Sequence, residues 1–158
     1  MIRDYRPQDL ATIMDIGNRA WREIYEMFRT CLGDELFGLI VPDVESAKGE
    51  QIKAHCERHP EWVVVCEKGG RVVGFVCFTL HEETKIGQIG NNAVDPDCGL
   101  KGIGQQMYRA AFEYFRAHGM VYAKVRTGLD DAHARARKAY ERAGFDICHQ
   151  DIDYYMRL

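Results

Sequence analysis

The sequence predicts one α/β domain (an α+β mixed sheet), mostly antiparallel, with one parallel β-α-β step and helices on both faces. Three observations lead there. Valine-rich runs at Trp62–Glu67 and Val72–Leu80 flank Lys68-Gly69-Gly70-Arg71, and Gly-Gly between two such runs signals a tight hairpin. A third apolar run, Ile86–Val94, follows the polar loop His81–Lys85, so three antiparallel strands stand in succession. That run gives way to a glycine-containing loop, a helical pattern from about Ile103 to His118 and an alternating stretch, Val121–Thr127. A strand, helix, strand order of this kind makes the two strands parallel neighbours.

The remaining elements follow from periodicity and end signals. Met1–Tyr5 reads as an edge strand, and Arg6-Pro7-Gln8-Asp9 puts proline and an acid in the first turn of a helix. Leu10, Ile13, Met14, Gly17, Trp21, Ile24, Tyr25 and Phe28 then recur at three- and four-residue steps and mark one buried face. Trp21 and Tyr25 belong either to the core or to the wall of a pocket. A short helix is predicted over Asp34–Ile40, a break at Pro42 and a further helix from Asp43 to about Arg58. In the helix after the glycine loop, Ile103, Met107, Ala110, Ala111, Tyr114 and Phe115 form the apolar stripe, and Gly119 stops it. Asp130 or Asp131 caps a last helix running to Ala143, with Ala132, Ala136, Ala139, Tyr140 and Ala143 on one face. Phe145–Gln150 and Ile152–Arg157 are expected to close the sheet as two short strands.

Composition narrows the function. The 158 residues are 46% hydrophobic and 28% charged, and 21 Lys and Arg stand against 24 Asp and Glu without long basic runs, which argues against nucleic acid as a partner. No run approaches the ~20 apolar residues that span a bilayer, and Met1–Tyr5 lacks a leader pattern, so a cytoplasmic protein without membrane association is expected. Six scattered cysteines without a C-x-x-C read as reduced thiols. His55 and His59 are four apart, but the residues between them do not make H-E-x-x-H; a helix end is the better reading, and no metal site is expected. Without a repeat or linker, residues 1–158 form a single domain, as a monomer or homodimer.

The loop before the fourth long helical pattern carries the chemistry. Gly102-Ile103-Gly104 stands where a strand gives way to a helix, just after Lys101, so unpartnered N–H groups and the helix dipole form an anion site suited to phosphate. A P-loop is excluded because no Gly-x4-Gly-Lys is present, and a Rossmann fingerprint because Met107 occupies the third glycine position. What remains, a strand ending in Val94-Asp95-Pro96, a short loop and Gly102-x-Gly104 at a helix start, resembles motif A of the GNAT family of acyl-CoA N-acyltransferases. Ala136-x-x-x-Tyr140-Glu141-x-x-Gly144-Phe145 is similar to the late-helix motif of the same family, and the order of elements agrees over nearly the whole chain. The departures are Gly99, where the family usually has Arg or Gln, Leu100, where a glycine often follows, His133, where an Asn usually stands, and Gln88, where many members have a glutamate base.

The resemblance implies an N-acetyltransferase that passes an acetyl group from acetyl-CoA to a primary amine of a small molecule or peptide. The backbone of Leu100, Lys101, Gly102, Ile103, Gly104 and Gln105 would hold the pyrophosphate. Asn92, Ala93 and Val94 would lie along the pantetheine, with the Asn92 N–H on the thioester carbonyl and the Val94 N–H on the pantetheine. His133, Ala136 and Tyr140 would complete the cofactor side, with Tyr140 as general acid for the leaving thiolate. A base is not identified: Gln88 cannot accept a proton, and His81, Glu82 and Glu83 are either bases acting through water or exposed loop charges. The alternative is a non-catalytic acyl-CoA-binding regulatory module.

Overall fold

A computed structural model describes residues 1–158. Its five strands are β1 (Ile2–Asp4), β2 (Val63–Lys68), β3 (Arg71–His81), β4 (Ile86–Val94) and β5 (Tyr122–Val125), in the order β1-β2-β3-β4-β5. The first four pair antiparallel and β4 pairs with β5 in parallel, so the mixed sheet matches the expectation. Lys68 faces Arg71 across the two-residue Gly69-Gly70 turn, as the hairpin signal requires. Between β1 and β2 lie α1 (Leu10–Leu32), α2 (Asp34–Ile40) and α3 (Ala47–Arg58). Between β4 and β5 lies α4 (Ile103–Ala117), and α5 (Ala134–Ala143) follows β5.

Alternation along β2 builds both cores at once. Val63 and Val65 pack with Ile13, Ile16, Ile52, Cys56, Phe75 and Cys77 under α1 and α3, while Val64 and Cys66 pack with Ile89, Ile103, Met107, Ala111 and Phe115 under α4. A strand buried on both faces reads as continuous valine, which is why this run lacks the polar half of the usual pattern. Tyr140 of α5 joins the α4-side core.

Several expectations are corrected. Pro7–Asp9 forms a separate 3₁₀ turn before α1, in which the Asp9 carboxylate accepts the Arg6 N–H and pairs with Arg3 at 2.7 Å. Ile16, outside the predicted stripe, is buried, whereas Phe28 is exposed, because α1 packs on the sheet through its first half. On α4 it is Tyr108 that is buried, and Ala110 and Tyr114 are only half-buried. The two closing strands are absent: residues 145–158 have no regular secondary structure, and Ile147, Ile152, Tyr154 and Met156 are exposed. Alternating apolar residues make a strand only when laid on a ladder, and this segment pairs with neither β5 nor itself.

Gly87 of β4 lies directly beneath the Phe115 ring, three of whose atoms would stand 2.4–2.6 Å from a Cβ at that position. Gly87→Ala is therefore expected to lower stability by about 1–3 kcal/mol through overpacking. Urea denaturation checks it, and a variant as stable as the parent would show that α4 packs on β4 at a different height.

Candidate active site

The site begins where β4 and β5 separate. Their parallel pairing covers only Ile86–Ile89 against Tyr122–Val125, so Gly90–Val94 have no partner on that side. A register shift against β3 falls in the same place, between Val76 and Phe78, where Gly90 and Asn91 form a bulge. The direction of the backbone groups beyond the bulge follows from one bond: the Asp95 N–H donates to Val73 O at 2.9 Å, so that pair is hydrogen-bonded. Alternation then turns Ala93, opposite Phe75, toward β3, and turns the N–H groups of Asn92 and Val94 away from β3, to the unpaired edge. Ala93 is buried and belongs to the ladder, while the amides on either side of it are presented to the cleft.

The Asn92 side chain joins this edge to two buried phenols. Its Oδ1 accepts the Tyr108 hydroxyl at 2.9 Å, and its Nδ2 donates to Gly90 O at 2.9 Å and to the Tyr140 oxygen at 3.2 Å. Tyr140 thus receives a hydrogen bond and makes none to the protein, which leaves its own proton directed elsewhere. Burial raises the Tyr140 pKa, with the Asn92 bond acting the other way, so the phenol is neutral at physiological pH. Tyr108, which sequence reasoning missed, is raised further by burial and acts as an uncharged donor that orients Asn92. Its signal lay in the α4 periodicity, one step along from Met107.

At the start of α4, Gly102 takes a left-handed conformation (φ 78°) and the first helical bond runs from Gln106 N–H to Gly102 O. The N–H groups of Ile103, Gly104 and Gln105 accordingly have no acceptor in the protein. Ile103 is buried and anchors this turn, whereas Leu100 and Lys101 are exposed and their side chains make no polar contact. Gly99 also has positive φ, 63°, with open space where a side chain would extend. The backbone accounts for glycine there, since a left-handed conformation costs other residues roughly 1 kcal/mol or more.

Arg19 of α1 clamps the preceding loop. Its Nη1 lies 2.7 Å from both the Asp95 and the Asp97 carboxylates, its Nε bonds Asp15, and the buried Asp95 also accepts the Asp97 N–H. On the other side, Gln105 Nε2 donates to Ala139 O, tying α4 to α5. His133 is held by Asp130, which caps the helical turn through the His133 N–H and contacts Nδ1 at 2.7 Å. Ala136 is half-buried against the α4-side core. Arg137 donates to Gly128 O and Asp130 O and braces the turn before α5. The polar loop residues His81, Glu82 and Glu83 sit at the Ile86 end of β4, six residues or about 20 Å from Asn92.

Comparison with known proteins identifies the family. Residues 21–145 match the model of the acetyltransferase (GNAT) family. The chain belongs to the GNAT acetyltransferase family. It is 29% identical over 102 residues to a mycothiol acetyltransferase of Acidimicrobium ferrooxidans, covering 63% of this chain and 32% of that protein. It is 30% identical over 95 residues to an uncharacterized N-acetyltransferase of Methanocaldococcus jannaschii, covering 57% and 41%. The chain thus spans about a third to two fifths of these relatives. Among solved structures, the PaiA N-acetyltransferase of Thermoplasma acidophilum with coenzyme A shares the fold at a TM-score of 0.74 and 15% identity, over 96% of this chain and 92% of that one. A GNAT acetyltransferase of Brucella melitensis with acetyl-CoA gives 0.60 at 23% identity, over 93% and 82%. No helix of this chain is long and apolar enough to cross a membrane.

The Arg19–Asp95 pair has a testable pH signature. Arg19 holds the Asp95 carboxyl below its ordinary pKa, so its contribution is complete above about pH 4 and is lost as pH falls through the depressed value. Asp95→Asn is expected to cost about 2 kcal/mol at pH 7, the scale of hydrogen bonds to charged groups, with the gap to wild type closing below about pH 4. Urea melts from pH 2 to 7 measure this; a gap independent of pH would mean the ion pair contributes nothing.

Proposed function

We propose that the protein is an acetyl-CoA-dependent N-acetyltransferase acting on a primary amine of a small molecule or peptide, through direct attack with both substrates bound. The observation that carries this reading is the junction at Asn92, where an outward backbone N–H on an unpaired strand edge and a neutral phenol, Tyr140, meet through one side chain. The coenzyme-bound GNAT structures of the same fold and the curated acetyltransferase relatives support acetyl-CoA as the donor.

In this reading the pyrophosphate binds the unpartnered amides of Ile103, Gly104 and Gln105 together with those of Leu100, Lys101 and Gly102. Pantetheine lies along β4 as an added strand, bonding the Val94 N–H. The amine nitrogen attacks the thioester carbon, and the Asn92 N–H stabilises the oxyanion that forms, worth about 3 kcal/mol for one well-placed donor. As the C–S bond breaks, the Tyr140 hydroxyl donates to sulfur. Its raised pKa keeps the proton available at neutral pH, and a thiolate of pKa about 8.5 departs with that hydrogen bond alone or with the proton. His133 and Ala136 border the cofactor, with Asp130 orienting the imidazole.

Two measurements test the assignment. Acetyl-CoA should raise the thermal midpoint, and Gly104→Glu should abolish that shift by bulk and negative charge; unchanged CoA affinity would place the cofactor elsewhere. Turnover is assayed by CoA release with L-cysteine, D-glucosamine, spermidine and a hexapeptide bearing a free N-terminal alanine. With the best of these, Tyr140→Phe is expected to lower kcat by roughly 10- to 1,000-fold while leaving the CoA dissociation constant unchanged. A full-rate Phe variant would reduce Tyr140 to packing, and CoA binding without turnover of any amine would leave a binding module.

A further inference from the structure

Acetyl transfer to a primary amine must dispose of protons, because the acceptor arrives at neutral pH as an ammonium ion without a lone pair to attack with. Between Ile86 and Val94, β4 carries no ionisable side chain. A buried amine reaches this strand from α3. Lys48 is buried, with its Nζ 2.7 Å from Gln51 Oε1, 3.2 Å from Asn91 Oδ1 and 4.4 Å from the centre of the Trp21 ring. A buried lysine ordinarily has a carboxylate partner. Lys48 has none.

Its two hydrogen-bond partners suit the uncharged amine as well as the ion, while the Trp21 ring face favours the ion. A neutral amine has two N–H donors, and two amide oxygens are what Lys48 meets. The groups facing it are Gly17 and Trp21 from α1, Gln51 from α3 and Asn91 from β4, and none of them titrates. Among the charged residues of these helices, Glu50 pairs with Lys53, and Arg19 with Asp15, Asp95 and Asp97. Position matters equally. Asn91 immediately precedes Asn92 within the bulge and turns to the α1 and α3 side, while Asn92 turns to Tyr108 and Tyr140. One strand edge therefore has a phenol on one side and a lysine on the other, which is the arrangement an acid for the leaving group and a base for the incoming amine require.

Resting on the acetyl-transfer reading, we propose that Lys48 is the general base, its neutral amine taking a proton, directly or through one water, from the acceptor's ammonium as that nitrogen closes on the thioester carbon. The N–C bond forms, the C–S bond breaks and sulfur leaves with the electron pair. Of the ammonium's three protons one remains on the amide, one passes to Lys48 and then to solvent, and one replaces the proton that Tyr140 gives to sulfur. Burial alone brings the Lys48 pKa down to about 8, so a useful fraction is uncharged near neutral pH.

The experiment compares wild type, Lys48→Met and Lys48→Arg with the panel amine of highest kcat/KM from pH 6 to 10, alongside CoA affinity. Both variants are expected to lose 100-fold or more in kcat, to keep CoA affinity, and to lose the rising limb near pH 8. In parallel, ¹³C NMR of wild type carrying ε-¹³C-lysine, assigned with the Arg variant, should show Lys48 titrating near pH 8 with and without acetyl-CoA. Activity retained by Lys48→Arg would overturn the base role in favour of a fixed charge, and a Lys48 midpoint above pH 10 would overturn it whether or not the variants fold. Failure of wild type to acetylate any panel amine would instead overturn the acetyl-transfer reading, and this role with it.

Discussion

The site depends on the divergence of two parallel strands. A central strand ordinarily has its N–H and C=O groups satisfied on both sides, and an unsatisfied buried group costs about 1–3 kcal/mol. β4 meets that demand on its β3 side except at the bulge, but on the β5 side only as far as Ile89. From Gly90 to Val94 its outward groups are left to water or to a ligand that lies along the strand. The bulge at Gly90 and Asn91 puts this gap in register with the side chains, because the extra residue sends Asn91 to one side of the sheet and Asn92 to the other.

Keeping such an edge in place requires rigidity on both sides, and the two cores provide it. Ile89 and Ala93 lie in opposite clusters, so each face of the sheet holds β4 on one side of the bulge. Arg19 fixes the loop that leaves β4 against α1, and Ile103 fixes the loop's end against the α4-side core. The glycines at positions 99 and 102 let the chain reverse between those two anchors and bring bare amides to the start of α4. The unpartnered amides are thus a consequence of where the strand ends and of how abruptly the helix begins.

Burial acts on the ionisable groups at both flanks of the edge. It raises Tyr140, keeping a proton on the phenol, and lowers Lys48, favouring loss of one from the ammonium. The same desolvation acts with opposite sign because one group is charged after losing its proton and the other before. Neither has a counter-ion, in contrast to Arg19 and Asp95 a short way along the strand, whose pairing keeps both charged. Arg3, Asp9, Arg19 and Asp95 are paired charges, whereas Tyr140 and Lys48 are held by neutral amides.

The sequence by itself determined the succession of elements, because each leaves a local signature: the valine runs of a strand buried on two faces, the Gly-Gly hairpin, the strand-loop-helix passage at Gly102-Ile103-Gly104 and the stripe ending at Tyr140. Asn92 and Tyr140 were legible only through resemblance to a family, since nothing local to either indicates that they touch. Lys48 shares the buried face of α3 with Ile52 and Cys56, an ionisable residue on an apolar stripe, yet its meaning required knowing that Asn91 stands opposite. The closing strands went the other way: the alternation in residues 145–158 is present, and no edge receives it. Tertiary structure alone decided where β5 parts from β4, which amides face the gap and which side chains flank it, because these are relations between segments as many as 48 residues apart that no local periodicity encodes.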